Sequence, residues 1–213
     1  MSLRKLENRL LWGVKMLGEN KYISMLKLLR NSWKHLKKVC IHKYWVAKYC
    51  FKVGLYWQGI VHDLSKFSFT EFWESIHYYQ GNQSPINACK KDKGYSMAWF
   101  HHRGRNLHHY ELWIDNFDSG GVALVMPKKY AFEMVCDYVG AARAYMGKEF
   151  TWKKELDWWN IKKQNAKIHD KIKRFLSDVF EAMENYERLD PKEADKFFNK
   201  TMLLNYWELA MSE

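Results

Sequence analysis

The chain has 213 residues, 47% of them apolar, which is enough for one domain with a sizeable core. Its apolar runs are too short to cross a membrane, and the charges near its N-terminus are not typical of a secretory signal. Basic side chains exceed acidic ones by 11, and the whole excess lies in residues 1–52, which hold 13 Lys and Arg and only 2 Asp and Glu. This segment could bind the phosphates of a nucleotide, a nucleic acid or an anionic membrane, or it could simply form a solvated helix face.

Helical periodicity dominates the N-terminal half of the chain. The predicted elements here are helices over residues 3–17, 21–40, 42–53 and 69–80, with an apolar segment over 55–64. Residues 18–20 predict the joint between the first two helices, and Gly54 predicts the end of the third. Ser68 and Glu71 have the S-x-x-E spacing of a capping box, which predicts the start of the fourth helix.

The C-terminal half is predicted to alternate loops and helices. The predicted elements are a loop over residues 81–94, a helix over 96–103 that resumes over 107–115, a connector with a short extended piece over 118–127, helices over 128–147 and 152–188, and a last helix to about 211. Asp190, Pro191 and Glu193 are typical of an N-cap, a first-turn proline and an acid in the first turn of that last helix. The predicted fold is therefore all-α, an orthogonal helical array or irregular bundle, in a single domain over residues 1–213.

The four cysteines indicate a reducing environment. None of them forms a CxxC pair, and they do not make a dense disulfide framework. Reduced thiols in a cytoplasmic protein are the simpler interpretation.

Residues with metal-ligand chemistry concentrate in the middle of the chain. His62 and Asp63 are adjacent, and adjacent residues on a helix point about 100° apart, so they rarely serve one structural purpose. Two histidine pairs, at 101–102 and 108–109, lie in the segment HHRGRNLHHYELW. Crowded imidazoles repel one another when protonated, but they tolerate one another around a cation. We expect each pair to provide one metal ligand and one ring in the outer shell or in solvent.

Asp137 is expected to point into the interior of the protein. On a helix it shares one face with Glu133, Gly140, Ala141 and Ala144. Such small residues let a neighbouring helix approach closely, which would bury the Asp137 carboxylate. A buried carboxylate without a cation is costly, so this side chain needs a positive partner.

Each of these residues also has a structural explanation. His42 lies on an apolar stripe, where a hydrogen-bonded core histidine is more common; Asp63 could cap a helix, and Asp137 could pair with Arg143 or a basic N-terminal helix. The histidine pairs could bind metal adventitiously at a surface. Taken together, imidazole and carboxylate donors without cysteine favour a metal site. The remaining histidines are interpreted as structural: His35, His77 and His169.

The order of these residues resembles the HD-domain superfamily of metal-dependent phosphohydrolases. The likeness rests on His42 in HKYWVAKYCFKVG, on the doublet 62–63 in VHDLSKFS, and on Asp137 in MVCDYVGA, and Lys66 after the doublet also fits. The segments HDLSKFS and NLHHYELW are similar to those of an uncharacterised bacterial and phage-type group within this superfamily. The resemblance covers about residues 35–147 and implies an HD-like helical core around a metal. The extra elements are basic N-terminal helices within 1–40 and C-terminal helices over about 152–211.

The resemblance also implies a ligand set. One divalent ion would be bound by His42, His62, Asp63 and Asp137. Members of the superfamily with two metals have additional histidine ligands between the doublet and the last aspartate, and the aspartate of the doublet bridges the two ions. In this chain the resemblance therefore implies His102 or His109 as a ligand of the second ion and Asp63 as the bridge. Imidazole and carboxylate ligands suit Mn, Fe, Co, Ni, Zn or Mg. Glu111 or Glu133 is predicted to orient a histidine ligand from outside.

The predicted reaction is hydrolysis of a nucleotide or another small phosphate ester. A bound divalent ion lowers the pKa of its water to about 7 in favourable sites, and this would provide the nucleophile next to Asp63. Lys66, Arg103 and Arg105 are the predicted phosphate contacts, since arginine offers a planar fork and lysine a point charge.

Two other functions stay open at this point. Some relatives with two irons oxidise their substrates, so a di-iron oxygenase is one alternative. A non-enzymatic module that binds nucleic acid through the basic N-terminal helices is the other, and it would bind in a salt-sensitive manner. The sequence does not specify the oligomeric state.

Overall fold

The computed structural model describes residues 19–212, and its architecture is all-α, as the sequence predicts. In chain order the helices are α1 (Glu19–Lys52), α2 (Tyr56–Val61), α3 (Phe69–His77), α4 (Pro85–Lys93), α5 (Met97–Arg103), α6 (Lys128–Met146), α7 (Trp152–Asn165), α8 (Asp170–Leu189), α9 (Ala194–Phe197) and α10 (Lys200–Ser212). Short 3₁₀ turns occur at Leu64–Phe67, Tyr110–Leu112, Phe117–Ser119 and Gly147–Glu149, and two short strands are β1 (Ile114–Asp115) and β2 (Val122–Ala123). The helix predicted over residues 3–17 lies outside the described residues.

The predicted helices over 21–40 and 42–53 form a single helix. α1 runs without a break, because no glycine or proline interrupts residues 19–52. The predicted end near Gly54 is confirmed: this residue has φ +80, a conformation that glycine adopts without steric cost. The capping box is also confirmed on its N-terminal side, since Oγ of Ser68 accepts a hydrogen bond from the backbone N–H of Glu71 at 3.4 Å.

The region between α3 and α6 differs from the prediction in two places. The predicted loop over 81–94 contains α4, which begins with Pro85 at its first position, where the missing N–H has no cost. The predicted resumption of α5 over 107–115 is wrong, because a 3₁₀ turn and β1 occupy this stretch. The short extended piece is confirmed as β2, which pairs antiparallel with β1 so that Ile114 lies opposite Ala123.

The two last predicted helices are each interrupted. The helix predicted over 152–188 is divided into α7 and α8 at residues 166–169, and Nδ1 of His169 caps α8 by accepting from the N–H of Lys171 at 3.2 Å. At the predicted start of the last helix, Oδ1 of Asp190 accepts from two backbone N–H groups, but the chain forms a turn there. The helical part follows as α9 and α10.

α6 is the central helix, and it crosses α1 at very short range. A Cβ added to Gly140 of α6 would lie 2.4 Å from Cγ2 of Val46 and 2.9 Å from its backbone N. This contact confirms the close helix approach that the small residues of α6 predict. Asp137 lies one turn before Gly140 and His42 lies one turn before Val46, so the crossing places these two side chains opposite each other.

Arg143 attaches the C-terminal helices to α6. Its Nη2 donates to both carboxylate oxygens of Asp195 at 2.7 and 2.8 Å, so the alternative pairing of Arg143 with Asp137 is wrong. Nε1 of Trp152 and Oη of Tyr49 also contact Asp195, at 3.1 and 3.2 Å. Within the described part of the chain, no helix combines the length and the apolar character that a membrane crossing requires.

Candidate metal centre

Four side chains from three separate parts of the fold meet at one point: His42, His62, Asp63 and Asp137, which we call the first quartet. Nε2 of His42 lies 3.3 Å from Oδ2 of Asp63 and 3.2 Å from Oδ1 of Asp137. Nε2 of His62 lies 3.3 Å from each of the same two oxygens. Ligand atoms bound at 2.0–2.1 Å to one ion lie about 3.0–3.4 Å apart, so these separations suit a shared ion.

The backbone around the His-Asp doublet explains how adjacent residues reach one centre. His62 terminates α2, and Asp63 then adopts a left-handed conformation with φ +54 and ψ +27. Few non-glycine residues adopt this region, although aspartate is enriched among them. The turn therefore redirects the Asp63 side chain toward the side of the chain that His62 already faces.

A second quartet shares Asp63 with the first: Asp63, His102, His108 and His109, whose ligand atoms all lie within 4.8 Å of one another. Oδ1 of Asp63 lies 3.3 Å from Nε2 of His102 and 3.5 Å from Nε2 of His108. The structure brings together the predicted residues His102 and His109, and it adds His108. His101 contacts Glu71 at 2.7 Å, so the pair 101–102 contributes one member to the second quartet, as predicted. The pair 108–109 contributes both members, although the prediction was one.

Several atoms of the two quartets are buried without a hydrogen-bond partner among residues 19–212. They are Nε2 of His62, Oδ1 of Asp63, Nε2 of His108 and Nε2 of His109. Buried polar atoms are nearly always paired, and a bound cation could satisfy these four unpaired atoms together. Burial and the neighbouring imidazoles of His108 and His102 hold the pKa of His109 well below its usual value, so its ring is neutral and has a lone pair to donate.

Two glutamates orient the histidine rings from behind. Oε1 of Glu133 lies 2.9 Å from Nδ1 of His62 and 3.2 Å from Nδ1 of His108. Oε2 of Glu71 lies 2.9 Å from Nδ1 of His102. Because a carboxylate only accepts, each Nδ1 carries the proton and each Nε2 is left as the ligand atom. Glu133 therefore makes the contact that its predicted role needs, and Glu71 makes a contact of the same kind that the sequence did not indicate.

The charges of the cluster are arranged for a positive partner. Burial alone would raise the pKa of Asp63, but His102, His62 and Lys66 hold it well below its usual value. The pKa of Asp137 is likewise lowered, because neighbouring histidines outweigh its burial. Burial lowers the pKa of His62, yet the carboxylates around it raise it well above its usual value, so a metal ion would bind Nε2 of His62 in exchange for a proton. Both aspartates are thus ionised at neutral pH.

A cavity of about 260 Å³ opens on this cluster. Its wall includes His42, His102, His109 and Asp137, so both quartets are accessible from it. Aromatic side chains form much of the remaining wall: Trp99, Tyr110, Tyr138, Tyr145 and Trp158. Lys38, Lys66 and Lys162 bring positive charge to the cavity.

The two predicted arginine contacts lie elsewhere. The guanidinium of Arg103 stacks 5.4 Å from the ring centroid of Phe100. Arg105 is exposed, and its Nη1 donates to the carbonyl oxygen of His101 at 3.3 Å. Neither side chain lines the cavity. Glu111, predicted as a possible orienting residue, lines the cavity but contacts no histidine ligand within the described residues.

The fold and the two quartets define an all-α protein with a buried candidate metal centre. The chain belongs to the family of unknown function DUF5662, whose match covers residues 31–182 and therefore all residues of both quartets. No curated protein and no solved structure matches the chain significantly. The function has to be inferred from the site itself.

Proposed function

We propose that the protein is a metal-dependent phosphohydrolase of the HD type that acts on a nucleotide or another small phosphate ester. The observation that supports this proposal best is the position of Asp63, which faces the first quartet with Oδ2 and the second quartet with Oδ1. A carboxylate shared in this way, next to a cavity with lysines, suits metal-assisted hydrolysis of a phosphate ester.

The ligand chemistry accommodates one or two divalent ions. The first quartet offers two imidazoles and two carboxylates, and the second offers three imidazoles and one carboxylate. Such donor sets suit Mn, Fe, Co, Ni, Zn or Mg, and the choice between them depends on geometry and supply. A bound ion supplies a water of lowered pKa and neutralises charge on the phosphoryl oxygens.

Lysines take the role that the sequence suggested for the two arginines. Lys66 reaches the first quartet, where its Nζ lies 2.6 Å from Oδ2 of Asp63. Lys38 lines the same cavity, and its Nζ donates to the carbonyl oxygen of Ala144 at 2.8 Å. Both ammonium groups can bind phosphate oxygens as point charges. Aromatic side chains form much of the remaining wall.

Elemental analysis of the native protein tests the proposal, together with hydrolysis assays over a panel of phosphate esters. We expect one or two equivalents of metal and a hydrolytic activity that a chelator removes. A His62→Ala, Asp63→Ala double variant should lose both while keeping its helical circular dichroism. His77→Ala is the control, because His77 is exposed and contacts only the carbonyl oxygen of Trp73 and its ring. Absence of stoichiometric metal, or of hydrolysis across the panel, would overturn the proposal.

A di-iron oxygenase is the second candidate, and the composition of the second quartet is compatible with it. Three imidazoles on one ion provide a nitrogen-rich site of the kind that suits iron. The two candidates differ in what they consume. Substrate-dependent uptake of dioxygen with iron and with no other metal would establish the oxygenase, whereas hydrolysis under nitrogen would exclude it as the main activity.

A further inference from the structure

Two of the charged side chains that line the cavity outside both quartets have no role in the proposed function, Glu111 and Lys162. Oε2 of Glu111 is buried and has no hydrogen-bond partner among residues 19–212. Nζ of Lys162 lies 5.3 to 5.5 Å from the ring centroids of Tyr110, Tyr138 and Trp158. Within the described residues this ammonium contacts rings but makes no hydrogen bond or ion pair.

The two groups are close enough to influence each other. Burial lowers the pKa of Lys162, and the carboxylates of Glu111 and Asp137 partly oppose this effect. Glu111 also contributes to the raised pKa of its neighbour Tyr110, after burial. One patch of the wall therefore presents a hydrogen-bond acceptor and a hydrogen-bond donor together, and neither has its full set of partners.

Unpaired polar groups of this kind are costly unless a ligand satisfies them. A buried donor or acceptor without a partner costs about 1–3 kcal/mol, and in this wall the cost applies to Oε2 of Glu111. Glu111 can only accept, so it needs an N–H or O–H group, and Lys162 can only donate, so it needs an oxygen or a ring nitrogen.

The neighbouring rings define the shape of the group that would supply these atoms. Tyr110, Tyr138 and Trp158 surround the Lys162 ammonium, and Trp99 lies in the same cavity wall. Aromatic side chains contact planar rings favourably by offset stacking or edge-to-face packing. A nitrogen heterocycle is planar and presents a donor next to an acceptor on one edge, so it satisfies both requirements at once.

We propose that Glu111 and Lys162 are specificity-determining residues that bind the donor–acceptor edge of a nitrogen heterocycle, such as a nucleobase, while the phosphate of the same ester lies at the metal centre. The placement of the phosphate at the metal centre rests on the proposed function. Binding of the heterocycle by Glu111 and Lys162 does not depend on it and can be tested separately.

The kinetic test uses the full-length, metal-loaded protein. It compares the four ribonucleoside monophosphates with ribose 5-phosphate, which has the phosphate and the sugar but no heterocycle. We expect kcat/KM to be at least tenfold higher for one or more nucleotides. Glu111→Leu and Lys162→Met should each lower this ratio about tenfold, mainly through KM, whereas Glu111→Gln, which keeps an acceptor oxygen, should lower it less. Lys153→Met is the matched control, because Lys153 lies on the same helix as Lys162 but is exposed, pairs with Asp157 and does not line the cavity.

A binding test separates failure of the inference from failure of the proposed function. Equilibrium dialysis with the four free ribonucleosides measures recognition of the heterocycle without any reaction. Binding by the native protein that Glu111→Leu weakens would support the inference even if no ester were hydrolysed. If ribose 5-phosphate were hydrolysed as well as every nucleotide, and the variants left the ratio unchanged, the inference would be overturned and the hydrolase would stand. Lack of nucleoside binding together with lack of hydrolysis would overturn both.

Discussion

Nζ of Lys66 lies 2.6 Å from Oδ2 of Asp63, the carboxylate oxygen that also faces the imidazoles of His42 and His62. Burial lowers the pKa of Lys66, but Asp63 and Asp137 raise it above its usual value, so the ammonium stays protonated. The lysine is therefore a positive neighbour of the same oxygen that a metal ion would bind. The two cations compete for Asp63 electrostatically.

Replacing Lys66 with Met should therefore strengthen metal binding while weakening catalysis. Removal of a positive charge next to the first quartet lowers the repulsion that an incoming divalent ion meets, and we expect affinity to rise on the order of tenfold, about 1.4 kcal/mol. The rate of ester hydrolysis should fall, because a phosphate contact is lost. Calorimetric titration with Mn²⁺ measures the first effect. Lys38→Met is the control, because Lys38 lines the cavity without contacting Asp63; equal or weaker Mn²⁺ binding in the Lys66 variant would contradict this account.

Glu133 and Glu71 offer a way to separate the two quartets. Glu133 contacts His62 of the first quartet and His108 of the second, whereas Glu71 contacts only His102 among the ligands. Outer carboxylates of this kind are worth about 10–100-fold in metal affinity. Glu133→Gln should therefore weaken metal binding at both quartets, and Glu71→Gln should weaken metal binding only at the second quartet. A stepwise Mn²⁺ titration distinguishes them, and identical effects of the two substitutions would argue against two separate ions.

The first quartet could be predicted from the sequence, but its geometry could not. Its members have chemically distinctive types in an order that resembles a known superfamily. The left-handed backbone of Asp63 has no local signal, because neither glycine nor asparagine marks the turn. This conformation explains how the adjacent residues His62 and Asp63 reach one centre.

The second quartet was predicted in part. The sequence indicates His102 or His109 and predicts one ligand from each pair, with the other ring in the outer shell or in solvent, so it does not predict that His108 joins His109. Helix α5 ends at Arg103, with Gly104 as its C-cap, and the chain that follows is irregular. In this irregular stretch the rings of His108 and His109 both face Asp63. Periodicity does not predict the direction of side chains in such a stretch.

Long-range contacts account for the other differences. Glu71 was assigned to a local capping box, yet its carboxylate reaches His101 and His102, thirty or more residues further along the chain. The break between α7 and α8 contains neither glycine nor proline, and it coincides with the burial of Ala166 and Ile168 in the core. In both cases tertiary packing decides a feature that local propensity does not indicate.

The crossing at Gly140 predicts a strong effect of a single methyl group. Gly→Ala within a helix normally gains up to about 1 kcal/mol in free energy of unfolding. Here the new Cβ would lie 2.4 Å from Cγ2 of Val46 and 2.9 Å from its backbone N, so the helices must separate. We expect Gly140→Ala to lower the free energy of unfolding by about 1–3 kcal/mol and to weaken metal binding by moving Asp137 away from His42.

Urea unfolding and Mn²⁺ titration measure these two effects. Lys129→Ala is the control, because Lys129 is an exposed residue on the same helix that lies over the ring of Tyr130 and away from the crossing with α1. A Gly140→Ala variant as stable as the native protein would show that α1 and α6 can separate without cost.

His35 predicts a pH dependence of stability that is independent of the metal ligands. Its ring packs against Phe72 at 5.3 Å and Tyr79 at 6.0 Å, and burial, with a smaller effect of Lys66, lowers its pKa to about 4. In the unfolded chain the pKa returns to about 6.5, so between pH 6.5 and 4 the unfolded state binds a proton that the folded state does not. Stability is therefore lost as the pH falls through this window, by at most about 3 kcal/mol.

The variant His35→Phe keeps an aromatic ring in the same surroundings and removes the titration. Urea unfolding of both proteins in chelator from pH 7 to pH 4 measures the effect, and the difference between them cancels the titration of the metal ligands, which both proteins share. We expect the native protein to lose about 2–3 kcal/mol relative to the variant over this range. A difference that stays constant with pH would mean that the His35 ring becomes protonated inside the folded protein as easily as in the unfolded chain, and that the aromatic pocket is open to water.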